Sequence, residues 1–301
     1  MRLGRGGGGE VFLAWDRALR REVAIKRLIS GADVNSALRF SREAALMARL
    51  KHRAIVPILD LEHSQENAYY VMPYIPGSRS LRGWLGSAAN VRPIPRAIVL
   101  GVLEAVCEAL DHIHAHGVVH RDVKPANILV APGGETFLMD FGLAHEPDSL
   151  LTFDDECLGT LPYLSPEQVR GQAITPASDL YSLGLVLYAI ATGTDAVKDH
   201  LEYIRRIANG ERLVDPPSER EPSVGKGLEQ VIMRAIAPDP QDRFPSGAAL
   251  IEALAALSLR DWWNPRPATS GVRARATLPA ASDSNSRAVT SSHAVLPASA
   301  R

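Results

Sequence analysis

Three polar residues in the middle of the chain have the types and spacing of a metal-binding and proton-transfer site. Asp122 precedes Asn127 by five residues, and Asp140 follows two short apolar segments, 128–130 and 136–139, separated by a turn rich in proline and glycine. Two such segments form a β-hairpin whose ends lie side by side, so Asn127 and Asp140 are expected to meet. Carboxylate and amide oxygens suit Mg²⁺, and Asp122 is placed to accept a proton from a substrate hydroxyl. Each residue alone also suits a cap or a turn, but together they predict a reaction centre.

A run of glycines close to the first residue is a candidate phosphate-binding loop. Residues 4–9 are Gly-Arg-Gly-Gly-Gly-Gly, whose backbone N–H groups can approach phosphate oxygens closely because glycine has no Cβ. A Walker loop would continue with Lys and Ser or Thr, whereas Glu10 follows here. A dinucleotide loop would enter a helix, whereas residues 11–15 have the pattern of a strand. The sequence therefore predicts two strands, the second at 23–28, joined beside a glycine loop.

Lys26 lies on the second of these strands and is the candidate to bind phosphate oxygens. It follows Ala24 by two residues, so the two side chains share one face of the strand. An isolated lysine is more often a surface residue. Glu43, on a helix predicted from about residue 35 to 50, is available as a partner, and such an ion pair would hold the ammonium group toward the phosphates.

The composition fits a soluble protein of one large domain or two smaller ones. The chain has 301 residues, of which 46% are hydrophobic, and this content excludes a chain that is disordered throughout. Its 33 Lys and Arg are balanced by 34 Asp and Glu, so the protein as a whole has no excess positive charge that would attract nucleic acid. Cys107 and Cys157 are too few for a disulfide framework and suit a reducing cytosol. The most apolar stretch, 180–191, is shorter than the ~20 residues of a membrane helix and predicts a buried core helix. We therefore expect a cytoplasmic protein with no membrane span and no nucleic-acid partner.

The elements that must position these residues fall into two groups. Short strands dominate from residue 10 to about 71, interrupted by the helix at 35–50, and helices dominate beyond Pro95. One of them carries an apolar stripe from Ile98 to Ile113 and is predicted to stop at Gly117. Residues 264–301 contain no aromatic residue and are rich in Ser, Thr and Ala, which predicts a disordered tail or linker.

Six segments of the chain resemble the signature set of eukaryotic-type protein kinases, in the order and with the spacing of that family, and look most like its bacterial Hanks-type serine/threonine branch. They are the glycine loop 4–11, Ala24-Ile25-Lys26, the run 120–127, Asp140-Phe141-Gly142, the run 159–163, and Ser165-Pro166-Glu167. The resemblance covers residues 3 to about 257. It implies a two-lobed α+β fold, with a small β-rich N-lobe at 1–75, whose first strand is shortened, and a larger, mainly helical C-lobe at 76–263.

The resemblance also implies an activity, with rivals. It implies transfer of the γ-phosphoryl group of ATP to protein Ser or Thr hydroxyls with Mg²⁺, or Mn²⁺ as an alternative, and self-association for autophosphorylation in trans. The first rival is a pseudokinase, a nucleotide-binding scaffold without turnover, which the shortened start favours and the retention of Lys26, Asp122, Asn127 and Asp140 opposes. The second is a small-molecule phosphotransferase, which the Ser165-Pro166-Glu167 segment opposes.

Residue roles follow from the same resemblance. Lys26, held by Glu43, binds the α- and β-phosphates, Asp122 is the catalytic base, and Lys124 stabilises the transferring phosphoryl group. Asn127 and Asp140 hold the metal. The residues implied to surround the nucleotide are Leu3, Gly4, Gly6, Gly9, Val11, Ala24, Lys26, Met72, Pro73, Ile75, Asn127 and Asp140.

Pro73 departs from the family, which usually has Glu at this hinge position. Proline keeps its carbonyl oxygen for the adenine amino group and loses only an N–H, so the donor to adenine is expected to be the N–H of Ile75.

Structural and regulatory roles complete the set that the resemblance implies. Asp179 anchors the catalytic loop, Glu167 pairs with Arg243, and Thr160 hydrogen-bonds near Asp122. The acceptors for autophosphorylation are Thr152 first and Ser149 second, and Arg121 receives the phosphate. Asp154 and Asp155 lie close by, so a native carboxylate could occupy Arg121 instead.

Overall fold

The computed structural model describes residues 1–6, 9–28, 34–63, 68–87, 93–141 and 161–263. Gly142, Ser149, Thr152, Thr160 and the segment 264–301 lie outside the described residues, so the predictions made for them stay predictions.

An antiparallel sheet of five strands forms the first half of the fold, in the order β1-β2-β3-β5-β4. One helix, α1, lies between β3 and the β4–β5 pair; it begins at Val34, near the predicted start, and ends at Met47, three residues before the predicted end. The bounds are β1 Arg2–Gly6, β2 Gly9–Asp16, β3 Arg21–Arg27, α1 Val34–Met47, β4 Asp60–His63 and β5 Ala68–Pro73.

The glycine loop joins β1 to β2. β1 has five residues against the eight of β2 and pairs with it from Arg2 opposite Phe12 to Gly6 opposite Gly9. Gly9 has a φ of +132°, and a Cβ there would lie 2.2 Å from the carbonyl oxygen of Arg27 on β3. Only glycine allows the start of β2 to approach β3 this closely.

The second half is mainly helical, with a small sheet in the order β6-β7-β8 at its junction with the first half. The strands are β6 Arg79–Ser80, β7 Ile128–Val130 and β8 Thr136–Leu138. The helices are α2 Leu81–Ser87, α3 Arg96–Ala115, α4 Pro166–Val169, α5 Pro176–Thr192, α6 His200–Asn209, α7 Pro217–Arg220, α8 Lys226–Ala235, α9 Gly247–Ala255 and α10 Leu259–Trp262. Short 3₁₀ turns occur at Pro125–Asn127, Leu161–Tyr163 and Pro240–Asp242.

Helix α5 is the centre of this half. Every residue from Ser178 to Thr192 is buried, so the prediction of a buried core helix is confirmed. Gly184 permits close packing, since a Cβ there would lie 2.8 Å from the Cβ of Ala235 on α8. Helix α3 packs beside it with the predicted apolar stripe turned inward, and Gly117 follows its end with a φ of +72°. No helix within the described ranges is long and apolar enough to cross a membrane.

Buried apolar side chains of the described residues form two clusters, and α1 contributes to both. Phe40 and Ala44 belong to the smaller cluster under the five-stranded sheet, whereas Met47 belongs to the larger one around α3 and α5. The segment after α1 also pairs with β8, where Leu138 N donates to Ala54 O at 2.8 Å and Val56 N donates to Leu138 O at 3.1 Å. The expected two-lobed α+β architecture is therefore confirmed, with a β-rich first lobe and a helical second lobe.

Candidate active site

The β7–β8 hairpin brings Asn127 and Asp140 together, as expected from the sequence. Ile128 is opposite Leu138 in the hairpin, so the residues flanking this pair are neighbours. Met139 N donates to Asn127 O at 3.0 Å, and Asn127 Nδ2 lies 3.4 Å from Asp140 O.

Asp122 lies next to Asn127, at the same end of the hairpin, and two donors hold its side chain. Its Oδ2 accepts a hydrogen bond from Asn127 Nδ2 at 2.8 Å and lies 2.8 Å from Lys124 Nζ. Its Oδ1 is buried and has no hydrogen-bond partner among the described residues. One carboxylate oxygen is thus fixed by Asn127 and Lys124, which leaves the other able to accept a proton.

Asp179 holds the backbone that precedes Asp122. From the buried helix α5 its two carboxylate oxygens accept hydrogen bonds from the backbone N–H groups of His120 and Arg121, both at 2.8 Å. Arg121 has a φ of +69°, a left-handed conformation that costs a non-glycine residue energy. The charge-assisted hydrogen bonds that Asp179 accepts offset that cost, so the strained loop is held in place.

His120 and Phe141 link this loop to the end of the hairpin. Their rings stack at 4.7 Å between centroids, and both are buried. Burial lowers the pKa of His120, although the nearby carboxylates of Asp179 and Asp122 oppose the shift. The neutral ring fits its contacts, since Nδ1 accepts from Asp122 N at 3.3 Å and Nε2 faces Met139 O at 3.2 Å.

Lys26 reaches across from the first lobe to Asp140. Its Nζ lies 2.9 Å from Asp140 Oδ1, and the lysine is buried. Asp140 itself has a φ of +56°, which aspartate tolerates better than most residues. Burial raises the pKa of Asp140, but the charge and hydrogen bond of Lys26 and the hydroxyl of Tyr70 outweigh it and lower that pKa, so the carboxylate stays ionised. Glu43, the partner predicted for Lys26, lies on α1, and its side chain is outside the described residues.

Apolar residues predicted to surround the adenine lie together between the lobes. Val11, Ala24, Met72 and Ile75 belong to or pack against the smaller cluster, where Leu129 of β7 joins them. Ala24 is opposite Met72 in the β3–β5 pair, and Pro73 ends β5. The glycines at 4, 6 and 9 lie on the β1–β2 pair, as does Leu3, whose side chain is 40% exposed.

Glu167 and Arg243 form a buried, two-pronged ion pair. Arg243 donates through its two terminal nitrogens to the two oxygens of Glu167, at 2.7 and 2.8 Å. Ser178 donates to Glu167 Oε1 at 2.6 Å, which ties α4 to the start of α5. Although burial opposes it, the hydrogen bonds from Arg243 and Ser178 lower the pKa of Glu167.

Two side-chain contacts, one of them in the site, were missed by the sequence analysis. One is Tyr70 on β5, whose hydroxyl donates to Asp140 Oδ1 at 3.0 Å. The other is a network in which Asp195 accepts from Arg82 at 2.9 Å and from the hydroxyl of Tyr163 at 2.5 Å. The pairing register of β3 with β5 places Tyr70 opposite Lys26. A prediction of that register would have identified Tyr70.

The donor set fits a hard divalent cation and a polyphosphate. Asn127 uses its amide nitrogen for Asp122, so its oxygen is the atom that remains for a cation. Asp140 supplies an ionised carboxylate beside it. Mg²⁺ is bound by one or two such protein oxygens together with water and substrate phosphates, so this pair suffices. Lys26 and the glycine loop supply the positive charge and the N–H groups that phosphates need.

Comparison with protein families finds one match that spans most of the chain. Residues 1–254 match the protein kinase domain. The expected resemblance to the bacterial Hanks-type serine/threonine kinases is also confirmed at the level of individual relatives. The chain is 36% identical over 256 residues to serine/threonine-protein kinase PknB of Mycobacterium leprae, covering 82% of this chain and 40% of that protein.

Two further relatives give the same result. The chain is 36% identical over 261 residues to serine/threonine-protein kinase Pkn1 of Myxococcus xanthus, covering 84% of this chain and 37% of that protein. It is also 36% identical over 265 residues to the DNA damage-responsive serine/threonine-protein kinase RqkA of Deinococcus radiodurans, covering 87% of this chain and 39% of that protein. The chain thus spans about 40% of the length of the curated relatives that it matches.

Solved structures agree with the fold. The kinase domain of PknI from Mycobacterium tuberculosis is similar to this chain with a TM-score of 0.67 and 28% sequence identity, over 84% of this chain and 92% of that domain.

Proposed function

Because this chain belongs to the protein kinase domain family, we propose that it is a serine/threonine protein kinase that transfers the γ-phosphoryl group of ATP to a hydroxyl group of a protein substrate. The observation that carries the proposal is the cluster at the lobe junction. Asp122 is held by Lys124 and Asn127, next to an Asp140 that pairs with Lys26. These side chains provide a base, a cation for the phosphates and two oxygen ligands within one cleft.

Each side chain has a definite part in this proposal. Asp122 Oδ1 accepts the proton of the substrate hydroxyl as its oxygen attacks the γ-phosphorus. Lys124, 2.8 Å from the other oxygen of Asp122, is placed to neutralise charge that develops on the transferring phosphoryl group. Lys26 orients the α- and β-phosphates, and Glu43 is its proposed support on α1.

The metal part of the proposal assigns Mg²⁺, or Mn²⁺ in its place, to Asn127 and Asp140. A divalent cation held by these oxygens would neutralise phosphate charge and help to align the phosphates for in-line attack. The adenine base would lie against Val11, Ala24 and Met72, with Pro73 O and Ile75 N at the hinge as its hydrogen-bonding groups.

Serine or threonine is the proposed acceptor for two reasons. The relatives carry serine/threonine-protein kinase in their names, and Lys124 follows the base by two residues, as in kinases that phosphorylate these hydroxyls. The pseudokinase alternative has no comparable support, because the basic, acidic and amide groups needed for transfer are all present and close together.

Partners, regulation and location are part of the same proposal. We propose that the N-lobe comprises residues 1–75 and the C-lobe residues 76–263. We also propose that the protein acts in the cytoplasm. Copies of the chain would phosphorylate each other at Thr152 or Ser149. Supporting this, Arg121 Nε is buried with no hydrogen-bond partner in the described part of the chain, which suits a receiver for a phosphate or carboxylate.

Radiolabelled ATP provides the test of the proposed function. The chain should transfer label to itself and to a generic basic protein, and phosphoamino-acid analysis should find phosphoserine and phosphothreonine. Asp122→Asn should lower the rate by at least roughly 10²-fold and leave Mg-nucleotide binding largely intact, whereas Asp140→Asn should weaken that binding itself. Nucleotide binding without any transfer by the unaltered chain would favour the pseudokinase.

A further inference from the structure

Tyr70 contacts the proposed metal-binding carboxylate from the strand that faces Lys26. It lies on β5, directly opposite Lys26 on β3, so the two side chains project from the same face of the sheet. The ring is completely buried, and its hydroxyl donates to Asp140 Oδ1 at 3.0 Å. Lys26 Nζ lies 2.9 Å from the same oxygen.

The position of this hydroxyl is set by packing on the Tyr70 ring. Phe40 of α1 stacks on it with 5.1 Å between centroids and 27° between planes. Lys26 Nζ lies 5.7 Å from the ring centroid, within the range of a cation–π contact. Tyrosine has only two side-chain torsions, so a ring held in this way places its hydroxyl with little freedom.

The two donors meet at one oxygen of the Asp140 carboxylate. The hydroxyl of Tyr70 lies 3.0 Å from Oδ1 and the ammonium of Lys26 lies 2.9 Å from it. Two bonds to one oxygen from two different strands fix the plane of the carboxylate. They act on a residue whose backbone has a φ of +56°, a strained conformation that persists only where the surrounding contacts hold it.

We propose that Tyr70 is a positioning residue that presents Asp140 to the metal ion, by holding Oδ1 and turning Oδ2 toward the cation. This inference rests on the proposed function, because it takes Asp140 as a metal ligand. A metal ligand that is oriented in advance loses less freedom when the ion binds. Loss of the hydroxyl should therefore raise the Mg²⁺ concentration that nucleotide binding requires, with little effect on the rest of the pocket.

The test is a pair of substitutions on adjacent residues of β5. Tyr70→Phe keeps the ring and its stack on Phe40 but removes the hydroxyl. Tyr69→Phe makes the same chemical change one residue earlier, on the opposite face of the strand. Binding of ADP is measured by calorimetry over a series of Mg²⁺ concentrations, and again with EDTA in place of the metal.

The expected result is a three- to tenfold rise in the half-saturating Mg²⁺ concentration for Tyr70→Phe and none for Tyr69→Phe. Binding with EDTA should be equal in all three proteins, since a general loosening of the pocket would lower it. Should Tyr70→Phe fail to fold, Tyr70→Met, which also fills the site without a hydroxyl, is expected to show the same rise.

Two results would overturn the inference. An unchanged Mg²⁺ requirement would show that the hydroxyl does not orient Asp140, and a lower requirement would show that it competes with the metal. Since binding is read without turnover, the outcome is separate from that of the transfer assay. If the unaltered chain transfers phosphate but Tyr70→Phe has an unchanged Mg²⁺ requirement, the proposed function stands and the role of Tyr70 is rejected. If Tyr70→Phe has a raised Mg²⁺ requirement but the unaltered chain transfers no phosphate, the role of Tyr70 stands and the proposed function is rejected.

Discussion

At the scale of single residues, His120 is expected to make the stability of the protein depend on pH, because its buried ring is neutral. Its pKa is lowered by burial, whereas in the unfolded chain it returns to about 6.5. Below that pH the unfolded state therefore binds more protons than the folded state, and stability falls as the pH decreases. We expect the free energy of unfolding, from urea denaturation, to decline as the pH is lowered from 7.5 to 5.5.

The substitution His120→Phe tests this origin of the decline. It keeps a ring against Phe141 and removes the titrating group, so the decline between pH 7.5 and 5.5 should become shallower, whatever the loss of stability at neutral pH. Above pH 7.5 the two curves should run parallel. An equally steep decline in the variant would assign the effect to other groups.

At the scale of elements, the packing of α5 against α8 depends on Gly184. An alanine Cβ there would lie 2.8 Å from Ala235 Cβ and 2.7 Å from Ile236 Cγ2, so the helices must separate. We expect Gly184→Ala to lower the free energy of unfolding by roughly 1–3 kcal/mol, the range for overpacked cores, as measured by chemical denaturation.

Gly101→Ala is the matched control in helix α3. It makes the same change in a helix interior where a Cβ would meet nothing within 4 Å. Alanine is the better helix former, so this variant should gain up to about 1 kcal/mol. Equal effects of the two substitutions would contradict the packing explanation.

At the scale of the whole molecule, the Glu167–Arg243 pair joins parts of the C-lobe that are 76 residues apart in sequence. Both side chains are buried, so Glu167→Ala would leave an uncompensated charge in the interior. We expect a loss of roughly 3–5 kcal/mol in the free energy of unfolding, measured by denaturation in guanidinium chloride.

Glu202→Gln is the comparison for this prediction. Glu202 pairs with Arg205 at 2.7 Å on the surface, and removal of an exposed pair should change stability little. A loss for Glu167→Ala as small as that of the surface variant would show that Arg243 is satisfied without Glu167. The pKa of Glu167 is lowered, so its contribution should be present above about pH 4.5 and be lost as the pH falls further.

Apart from the distant pairs that the family resemblance implied, such as Glu167 with Arg243, the sequence predicted those parts of the fold and site that depend on local patterns. The meeting of Asn127 and Asp140 follows from one hairpin, and the burial of α5 follows from one apolar run. Tyr70 was missed because its role depends on the pairing of β3 with β5, which no local pattern specifies. The Arg82–Asp195 contact joins residues 113 apart in sequence, and nothing near either residue indicates it.

The backbone pairing of residues 54–56 with β8 has a mechanical consequence for the cleft. The backbone connects the lobes at two places, through the chain that leaves β5 at Pro73 and through the hydrogen bonds between Leu138 and the Ala54–Val56 segment. With the backbone joined at these two places, the motion left to the lobes would be a rotation about the line through both connections. β5 ends at the first of these connections, and in the sheet order β1 is three strand spacings from β5, roughly 14 Å. Such a rotation would displace β1 and the start of β2 more than β5, and the Lys26–Asp140 ion pair, which joins the two lobes, would oppose it.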